Sequence, residues 1–307
     1  MFNIEMQVGA KFKIAVKKHN KVIKETGWSD NIVLDSGLSR MSVGRWIDRC
    51  CVGTGNSTPL ASQTMLDNFV AASTTAKGSS AVANTAAQPY YYGQRIVWGF
   101  SVGSATGNIS EVGLGWGNYD LWNRALIRDI AGNPTTITVL SDEVLEVTSE
   151  VRCYPASSIS GGFQLVDKND NLISSHSYVG LPTIANASVF ITDKITLGYS
   201  GGNSVLYTAS ASNVAMPTGL TTIPVMYGDN AADANNTTYP TTTSAKAICT
   251  FPPSRANFDH RFIFLRNNLL ANMGIGYKLE ITPPIPKTNT ESLTYEFVMS
   301  WGRYESS

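Results

Sequence analysis

The sequence has little charge. Lysine and arginine together number 23, aspartate and glutamate also number 23, and charged residues make up 15% of the 307 residues, against about 25% in an average globular domain. The net charge of zero leaves no overall basic field that would gather phosphates, which argues against general nucleic-acid binding. It also reduces repulsion between copies, which suits a subunit of an assembly.

Residues that bind metals or carry redox chemistry are also few. The histidines are His19, His176 and His260, and the cysteines are Cys50, Cys51, Cys153 and Cys249. No Cys-x-x-Cys pair occurs, and the histidines lie far apart in sequence without a cysteine or a second histidine at metal-binding spacing. We therefore expect no metal or other cofactor, and reduced, mostly buried thiols in a protein made in the cytoplasm.

Long apolar runs are missing as well. The first residues, MFNIEMQVGAKFKIAV, have neither the continuous apolar stretch nor the small-residue cleavage site of a signal peptide. No segment approaches the roughly 18 apolar residues that a membrane-spanning helix needs. The sequence therefore predicts neither export by a signal peptide nor insertion into a membrane.

What the sequence does contain is period-two alternation. In residues 11–17, apolar side chains alternate with lysine, residues 18–21 predict a turn, and Val22 and Ile23 begin a returning strand. Lysines 11, 13, 17, 18, 21 and 24 form a row along this hairpin. The row is typical of a solvated face that protects an edge strand; contact with an acidic neighbouring subunit is the alternative.

Short strands with turn residues between them continue along the chain. They are predicted at 90–102, 109–114, 125–129, 135–140, 144–154, 261–265, 274–281 and 293–301. This spacing predicts an all-β protein with a β-sandwich or jelly-roll-like module. We expect the last strand to pair with the strand at 144–154.

Two short helices are predicted near the N-terminus. Asp35 or Ser36 can cap the first, and Thr58 followed by Pro59 at the first helical position can start the second. Residues 71–88, rich in alanine, serine and threonine, have too few large side chains to fix themselves in a core. They predict a mobile loop or arm.

The amino-acid composition changes after Pro155. Residues 156–250 have little charge and contain two hairpin-like pairs, 163–166 with 172–175 and 195–199 with 205–208. We therefore predict two modules: an anchoring module of residues 1–155 plus 287–307, and an inserted β-module of residues 156–286 that faces a partner or the surface.

One motif suggests catalysis. Gly198-Tyr199-Ser200-Gly201-Gly202 fits G-x-S-x-G, and Asp229 or Asp233 followed by His260 would complete a serine, acid and histidine order. A nucleophile elbow requires a helix after the serine, whereas the residues after Ser200 predict a strand. We therefore expect a hairpin turn and no enzyme activity.

Three other motifs resemble ligand loops. The segment at 167–171 begins like a calcium loop but has Leu172 where glycine is required, so we expect a turn. The looser cluster of acidic and amide residues at Asp229–Asn235 leaves an ion site open. The glycine motifs at 53–55 and 113–118 lack the helix and lysine of a phosphate loop and predict turns or bulges.

Several segments form a set of turn-and-strand motifs. They are Gly27-Trp28-Ser29-Asp30-Asn31, Asp35-Ser36-Gly37-Leu38, Cys51-Val52-Gly53-Thr54-Gly55 with Pro59, the stretch 100–115, Ala125-Leu126-Ile127-Arg128-Asp129, the stretch 132–137, and Pro284-Ile285-Pro286-Lys287-Thr288 with Ser300-Trp301-Gly302-Arg303-Tyr304. Together they resemble structural proteins of tailed bacteriophages. The resemblance covers residues 27–155 and 284–304 and implies a component of a tail, baseplate, collar or fibre.

The sequence therefore favours a structural subunit of a phage tail apparatus, located in the virion, whose partners are copies of itself and other virion proteins. Its contacts would bury apolar and aromatic patches, for which Tyr90-Tyr91-Tyr92 is a candidate; a strand that packs on both faces is the alternative for these tyrosines. Two alternatives stay open. One is a fibre-tip protein that binds a host receptor or glycan through residues 156–286; the other is a protein that decorates the capsid. Symmetry, copy number and position in the particle do not follow from the residues.

Overall fold

A computed structural model of the chain describes residues 1–184, 190–197, 206–210, 220, 231–234, 237–270 and 275–305. These residues are nearly all β. The elements are β1 Phe2–Lys18, β2 Lys21–Glu25, β3 Ser29–Asp30, β4 Ile32–Val33, α1 Asp35–Arg40, β5 Arg49–Gly53, β6 Phe69–Ser73, β7 Ala76–Asn84, β8 Tyr91–Gly99, β9 Gly107–Ile109, β10 Glu111–Gly115, β11 Asn123–Leu126, β12 Ile137–Val139, β13 Val144–Pro155, β14 Ile159–Val166, β15 Leu172–Pro182, β16 Leu206–Ala209, β17 Asp233–Ala234, β18 Ser244–Phe251, β19 His260–Asn267, β20 Ile275–Ile285 and β21 Leu293–Arg303.

The strands form a large sheet and three smaller ones. The nine-stranded sheet has the order β17-β18-β21-β1-β13-β8-β7, with β2 and β3 also paired to β1. The two five-stranded sheets have the orders β4-β11-β10-β5-β6 and β14-β15-β20-β19-β16, and β12 pairs with β9. In the described part of the chain, no helix combines the length and the apolar character needed to cross a lipid bilayer.

Strand β1 is the central strand of the large sheet. Its 17 residues extend about 55 Å at the usual rise per residue, and it pairs antiparallel with β13 from Met6↔Pro155 to Lys17↔Val144. Its even-numbered side chains up to residue 16 are buried and apolar: Phe2, Ile4, Met6, Val8, Ala10, Phe12, Ile14 and Val16. Period-two alternation therefore places one face of the sheet in the core and leaves the other face to the polar residues.

The hairpin predicted at the N-terminus is confirmed. His19 and Asn20 both have positive φ, 51° and 61°, as a two-residue hairpin turn between twisted strands requires. Four lysines of β1 contact carboxylates of the same chain: Lys11 with Asp30, Lys13 with Glu25, Lys17 with Glu146 and Lys18 with Asp142. The lysine row thus serves intrachain ion pairs on the outer face of the sheet.

The inner face of the large sheet packs against the other sheets. The Phe2 ring contacts Phe163 of β14 and Tyr178 of β15 edge-on, with centroids 5.3 and 5.2 Å apart. On the other five-stranded sheet and its flanking loop, Trp46 and Trp122 are fully buried and 5.0 Å apart. One contiguous cluster of buried side chains includes all of these residues except Phe163, which packs against it half-buried.

One of the two predicted helices is present. Helix α1 spans Asp35–Arg40, and Trp301 donates its ring N–H to the Leu38 carbonyl at 3.0 Å. The helix predicted from Thr58 is wrong: residues 58–68 form turns and irregular backbone, and a strand begins at Phe69. The Glu111 carboxylate accepts backbone N–H groups of this loop, so a buried side chain satisfies donors that a helix would otherwise have satisfied.

The prediction of a mobile arm at 71–88 is also wrong. Most of this segment lies in β6 and β7, and β7 pairs with β8 from Ala76↔Trp98 to Asn84↔Tyr91. The small side chains of β7 bury little area, but its backbone forms hydrogen bonds along nearly the whole length of the neighbouring strand β8. The ladder of backbone hydrogen bonds thus orders a segment whose side chains alone could not.

The final strand does not pair with β13 as expected. β21 pairs parallel with β1, from Phe2↔Phe297 to Val8↔Arg303, and antiparallel with β18. β1 therefore lies between β21 and β13. Two long alternating strands can each bury one face without being neighbours, because alternation specifies a face and not a partner.

The residues of the predicted inserted module divide between two sheets. β14, β15, β16, β19 and β20 form a separate five-stranded sheet, whereas β17 and β18 join the large one. The predicted hairpin at 163–166 and 172–175 is confirmed by β14 and β15. The other predicted hairpin is not: β16 pairs with β19, and residues 198–205 lie outside the described residues.

Candidate functional site: a tyrosine-lined groove

A groove of about 540 Å³ opens on the outer face of the large sheet. Its floor comes from β1, β13 and β8, where register places Gly9 opposite Arg152 and Gln7 opposite Tyr154. Its walls come from residues 30–32, the turn after β7, and the chain after β21. The lining residues are Gly9, Ala10, Lys11, Asp30, Asn31, Ile32, Asn84, Pro89, Tyr91, Arg152, Tyr154, Arg303, Tyr304 and Glu305.

Three tyrosines form a continuous aromatic surface in this groove. The rings of Tyr154 and Tyr304 are stacked, with centroids 3.7 Å apart and an interplanar angle of 10°. Tyr91 meets Tyr154 at 5.6 Å. The stack lies over Gly9, where a Cβ would be in ordinary van der Waals contact with the Cβ of Tyr304, at 3.5 Å. The Tyr304 N–H also donates to the Val8 carbonyl at 2.9 Å, which holds this ring in place.

Arg152 extends the aromatic surface. Its guanidinium lies 4.1 Å from the centroid of the Tyr91 ring, in cation–π geometry. Its Nε donates to Glu150 at 2.7 Å, and the other carboxylate oxygen of Glu150 accepts Arg95 at 2.8 Å. The buried Glu150 carboxylate therefore holds Arg152 against the Tyr91 ring.

Asn31 supplies a polar group at the wall. Its Oδ1 accepts the Ala10 N–H at 2.7 Å, which fixes the orientation of the amide. Its Nδ2 is buried and has no hydrogen-bond partner among the described residues. Asn31 therefore ties residues 30–32 to β1 and shapes this wall of the groove.

A second, smaller depression of about 230 Å³ shares Pro89, Tyr154 and Tyr304 with the groove. It adds neutral polar side chains to the same aromatic surface: Gln7, Gln88 and Ser157. Tyr90 also lines it. The two depressions form one elongated surface on either side of the Tyr154–Tyr304 stack.

The side chains of this surface are of types that can contact a ligand. Burial raises the pKa of the Tyr154 phenol, so the hydroxyl stays protonated and donates or accepts hydrogen bonds near neutral pH. Tyr91 and Tyr304 are half-buried, which leaves part of each ring open to a ligand. Aromatic rings with polar edges and fixed amides suit a ligand that has both apolar and hydroxyl-bearing surfaces.

The sequence indicated only part of this surface. Tyr90, Tyr91 and Tyr92 stood out as a possible contact run, and alternation separates them: Tyr92 points inward, is fully buried and donates to the Leu269 carbonyl at 3.0 Å. Tyr154 and Tyr304 gave no such signal. They are 150 residues apart in sequence and meet because β13 and β21 lie on either side of β1.

The residues of the apparent serine motif do not form a site in the described part of the chain. Ser200 and Asp229 lie outside the described residues, and Asp233 forms an ion pair with Arg255 at 2.7 Å. His260 is fully buried. Its ring nitrogens lie 3.0 Å from the Tyr295 hydroxyl and 2.9 Å from the Ala256 carbonyl, and burial lowers its pKa to about 4.

The possible ion loop at Asp229–Asn235 is described only at residues 231–234. Among the described residues no group of three or more histidine, cysteine or acidic side chains is placed to hold a metal ion. The segment at 167–171 is a turn as predicted: Asp167 accepts the N–H groups of Asn169 and Asn171. In the glycine motifs, Gly53 ends β5 at a bulge, while Gly113 and Gly115 lie within β10.

Comparison of this chain with known protein families, proteins and structures finds no relative. No family model, no curated protein and no solved structure matches this chain.

Proposed function

We propose that this chain is a structural subunit of a tailed-phage particle, located in the tail apparatus, and that it acts through contacts with its own copies and with other virion proteins. The proposal contains no catalytic step. Its phage part depends on the resemblance of residues 27–155 and 284–304. Its contact part depends on the surface.

The observation that carries the contact part is a group of exposed apolar side chains near the β1–β2 hairpin. Ile130 is 91% exposed, and it borders a depression of about 600 Å³ that Lys24 and Thr138 also line. Lys24 donates to the Thr138 carbonyl at 2.8 Å, so β2 and β12 meet here. The other exposed apolar residues on these adjoining segments are Val22, Ile23, Val102 and Leu140. Soluble monomers rarely expose such groups together, and protein interfaces bury them.

The segments that carry the resemblance pack together in space, which supports treating them as one unit. Gly27 donates its N–H to the Arg128 carbonyl at 3.1 Å. Arg303 donates to the Val33 carbonyl at 3.0 Å, and Trp301 to Leu38. Contacts between residues about 270 apart in sequence connect the N-terminal and C-terminal parts of the resemblance.

Two finer statements about architecture belong to the same proposal. We propose that the large sheet and the sheets facing it form a sandwich, which the Phe2 contacts with Phe163 and Tyr178 support. We also propose that the part of residues 156–286 in the separate five-stranded sheet faces a partner, while β17 and β18 belong with the anchoring module.

The decisive experiment is to locate the protein in purified particles. Gel stoichiometry gives its copy number, and imaging of particles labelled on this chain gives its position. A fixed number of copies in the tail supports the proposal, and a position on the capsid surface replaces it with a decorating role. Absence of the protein from particles refutes it.

A variant tests the exposed group. Ile130→Asp places a charge beside this depression and should strongly reduce incorporation into particles. The thermal midpoint of the isolated chain should not change, because the Ile130 side chain is almost fully exposed and contributes little to the core. Val43→Asp is the matched control, since Val43 is 64% exposed and lies on a different loop. Equal incorporation of both variants would contradict the assignment of this surface.

A further inference from the structure

We propose that the tyrosine-lined groove binds an uncharged carbohydrate. The proposal goes beyond the structural role. It also differs from the glycan-binding alternative that the sequence raised, because the groove lies on the large sheet, between β1, β13, β8 and the chain after β21, and not in the sheet built from residues 156–286.

The first argument is the shape of the aromatic surface. A sugar ring has faces of C–H groups and a rim of hydroxyls, so it packs a face on an aromatic ring while its rim reaches polar groups. Tyr91 and Tyr304 are half-buried and offer ring surface. The buried Tyr154 ring contacts both, at 5.6 and 3.7 Å, and holds them in place. Rigid aromatic side chains provide contact area at low cost in conformational entropy.

The second argument is the set of polar groups around those rings. Gln7, Gln88 and Ser157 line the adjoining depression, and the Asn31 amide oxygen accepts the Ala10 N–H at 2.7 Å, which fixes the opposite wall. Asn84 donates to the carbonyls of Ala87 and Pro89, at 2.8 and 3.0 Å, which fixes the turn that forms one wall. Hydroxyl-rich ligands need fixed donors and acceptors of this kind, since an unmatched polar contact costs affinity.

The third argument concerns charge. Each of the three cations that line the groove contacts a carboxylate of the chain: Lys11 with Asp30 at 3.2 Å, Arg152 with Glu150 at 2.7 Å, and Arg303 with Asp35. An acidic sugar would have to compete with these carboxylates. An uncharged sugar needs no such exchange, so the groove favours neutral saccharides.

The volume agrees with a short oligosaccharide. The main groove measures about 540 Å³ and the adjoining depression about 230 Å³, within the range of roughly 300–1,000 Å³ usual for small-molecule sites. Because the Tyr154–Tyr304 stack separates the two depressions, a linear chain of sugars can cross it and contact both.

The test uses the full-length chain. Purified protein is applied to an array of neutral oligosaccharides of glucose, galactose, mannose and N-acetylglucosamine, with uronic-acid and sialic-acid oligosaccharides as the acidic arm. The best neutral hit is then titrated by calorimetry. We expect saturable binding to at least one neutral oligosaccharide and weaker binding to its acidic counterparts.

Variants locate the site. Tyr91→Ala and Tyr304→Ala should each weaken the titrated affinity by at least about tenfold, since each removes an aromatic contact at the centre of the surface. Tyr119→Ala is the matched control: Tyr119 is 60% exposed and contacts Phe69 outside the groove. It should keep the affinity of the wild type. Thermal unfolding of every variant separates loss of binding from loss of fold. Tyr304→Ala carries less risk of disrupting folding than Tyr91→Ala does, because Tyr304 follows the last strand.

Three outcomes overturn the proposal. They are an array without neutral hits, binding confined to acidic saccharides, and neutral binding that both groove variants retain. A fourth is distinguishable from these: if Tyr91→Ala leaves saccharide binding intact but prevents incorporation into particles, the groove is a protein contact and the carbohydrate assignment is wrong. Location of the protein in particles tests the structural role separately.

Discussion

Nη2 of Arg124 lies 2.8 Å from Oε2 of Glu111, and neither side chain is exposed to solvent. The same guanidinium donates to Asp67 at 2.7 Å and to Gln63 at 2.8 Å. Glu111 in turn accepts the N–H groups of Gly55, Asp67 and Asn68. This buried cluster fastens the loop between β5 and β6 to strands β10 and β11, and it explains why that loop is not helical.

Removing Arg124 should therefore destabilise the fold strongly. Arg124→Ala leaves Glu111 as a buried charge without its main partner, which costs about 3–5 kcal/mol. The matched control is Arg45→Ala, which breaks a pair with Asp193 whose side chains are about 60% exposed and should cost less than about 1 kcal/mol. Urea denaturation of both variants measures the difference, and similar losses would contradict the role of the cluster.

Gly37 should not tolerate a side chain. A Cβ at this position would lie 2.3 Å from the Trp122 carbonyl oxygen, and a backbone atom cannot move aside as a flexible side chain can. Gly37→Ala should cost about 1–3 kcal/mol through overpacking. Gly78→Ala is the control, because nothing lies within 4 Å of a Cβ there. The thermal midpoint should fall for the first variant and stay or rise for the second.

Stability should decrease between about pH 6.5 and pH 4 because of His260. Burial lowers its pKa to about 4 in the folded chain, from 6.5, so the unfolded state takes up a proton at a higher pH than the folded state does. The unfolded state binds more protons throughout this window, and the free energy of unfolding therefore falls as the pH falls, by about 3 kcal/mol in total.

The variant His260→Gln isolates this contribution. Its free energy of unfolding should change less between pH 7 and pH 4 than that of the wild type, whatever its absolute stability. Denaturant titrations at several pH values measure the slope. An unchanged slope in the variant would show that other groups cause the acid sensitivity.

The thiols should react only after unfolding. All four cysteines are free and buried, and burial raises the pKa of Cys51, Cys153 and Cys249 to about 12. The thiolate is the reactive form. A disulfide reagent should therefore label the thiols of the native chain slowly, and should react with four thiols per chain in denaturant. Rapid labelling of the native chain, or fewer than four equivalents after unfolding, would contradict this expectation.

Part of the fold follows from local pattern. Strands β1, β13 and β21 were predictable because their side chains alternate. β8, β19 and β20 were predictable because apolar residues lie between turn residues, and the β1–β2 turn because His19 and Asn20 lie between lysines in a hairpin pattern. β18 was missed. Its inward residues include Ala245, Ala247 and Cys249, and small side chains produce a weak alternation of hydrophobicity.

The groove was much less predictable than the strands. Tyr91 was noticed as part of a tyrosine run, but Tyr154, Tyr304 and Arg152 belong to different strands, and nothing local indicates that they meet. Asn31 lies at the wall because its amide oxygen accepts the N–H of Ala10, which is 21 residues away in sequence. A binding surface assembled in this way is a property of strand order.

The sequence by itself determined that this chain is β-rich, because alternation and turn residues act over a few neighbours. It also determined that charge and metal-binding residues are scarce. Only the tertiary structure decided that β1 lies between β13 and β21, that residues 76–84 are a strand, and that Tyr154 stacks on Tyr304. Those outcomes depend on which distant backbone and side chain each segment meets, and pairing energies between distant strands leave no mark on the local pattern.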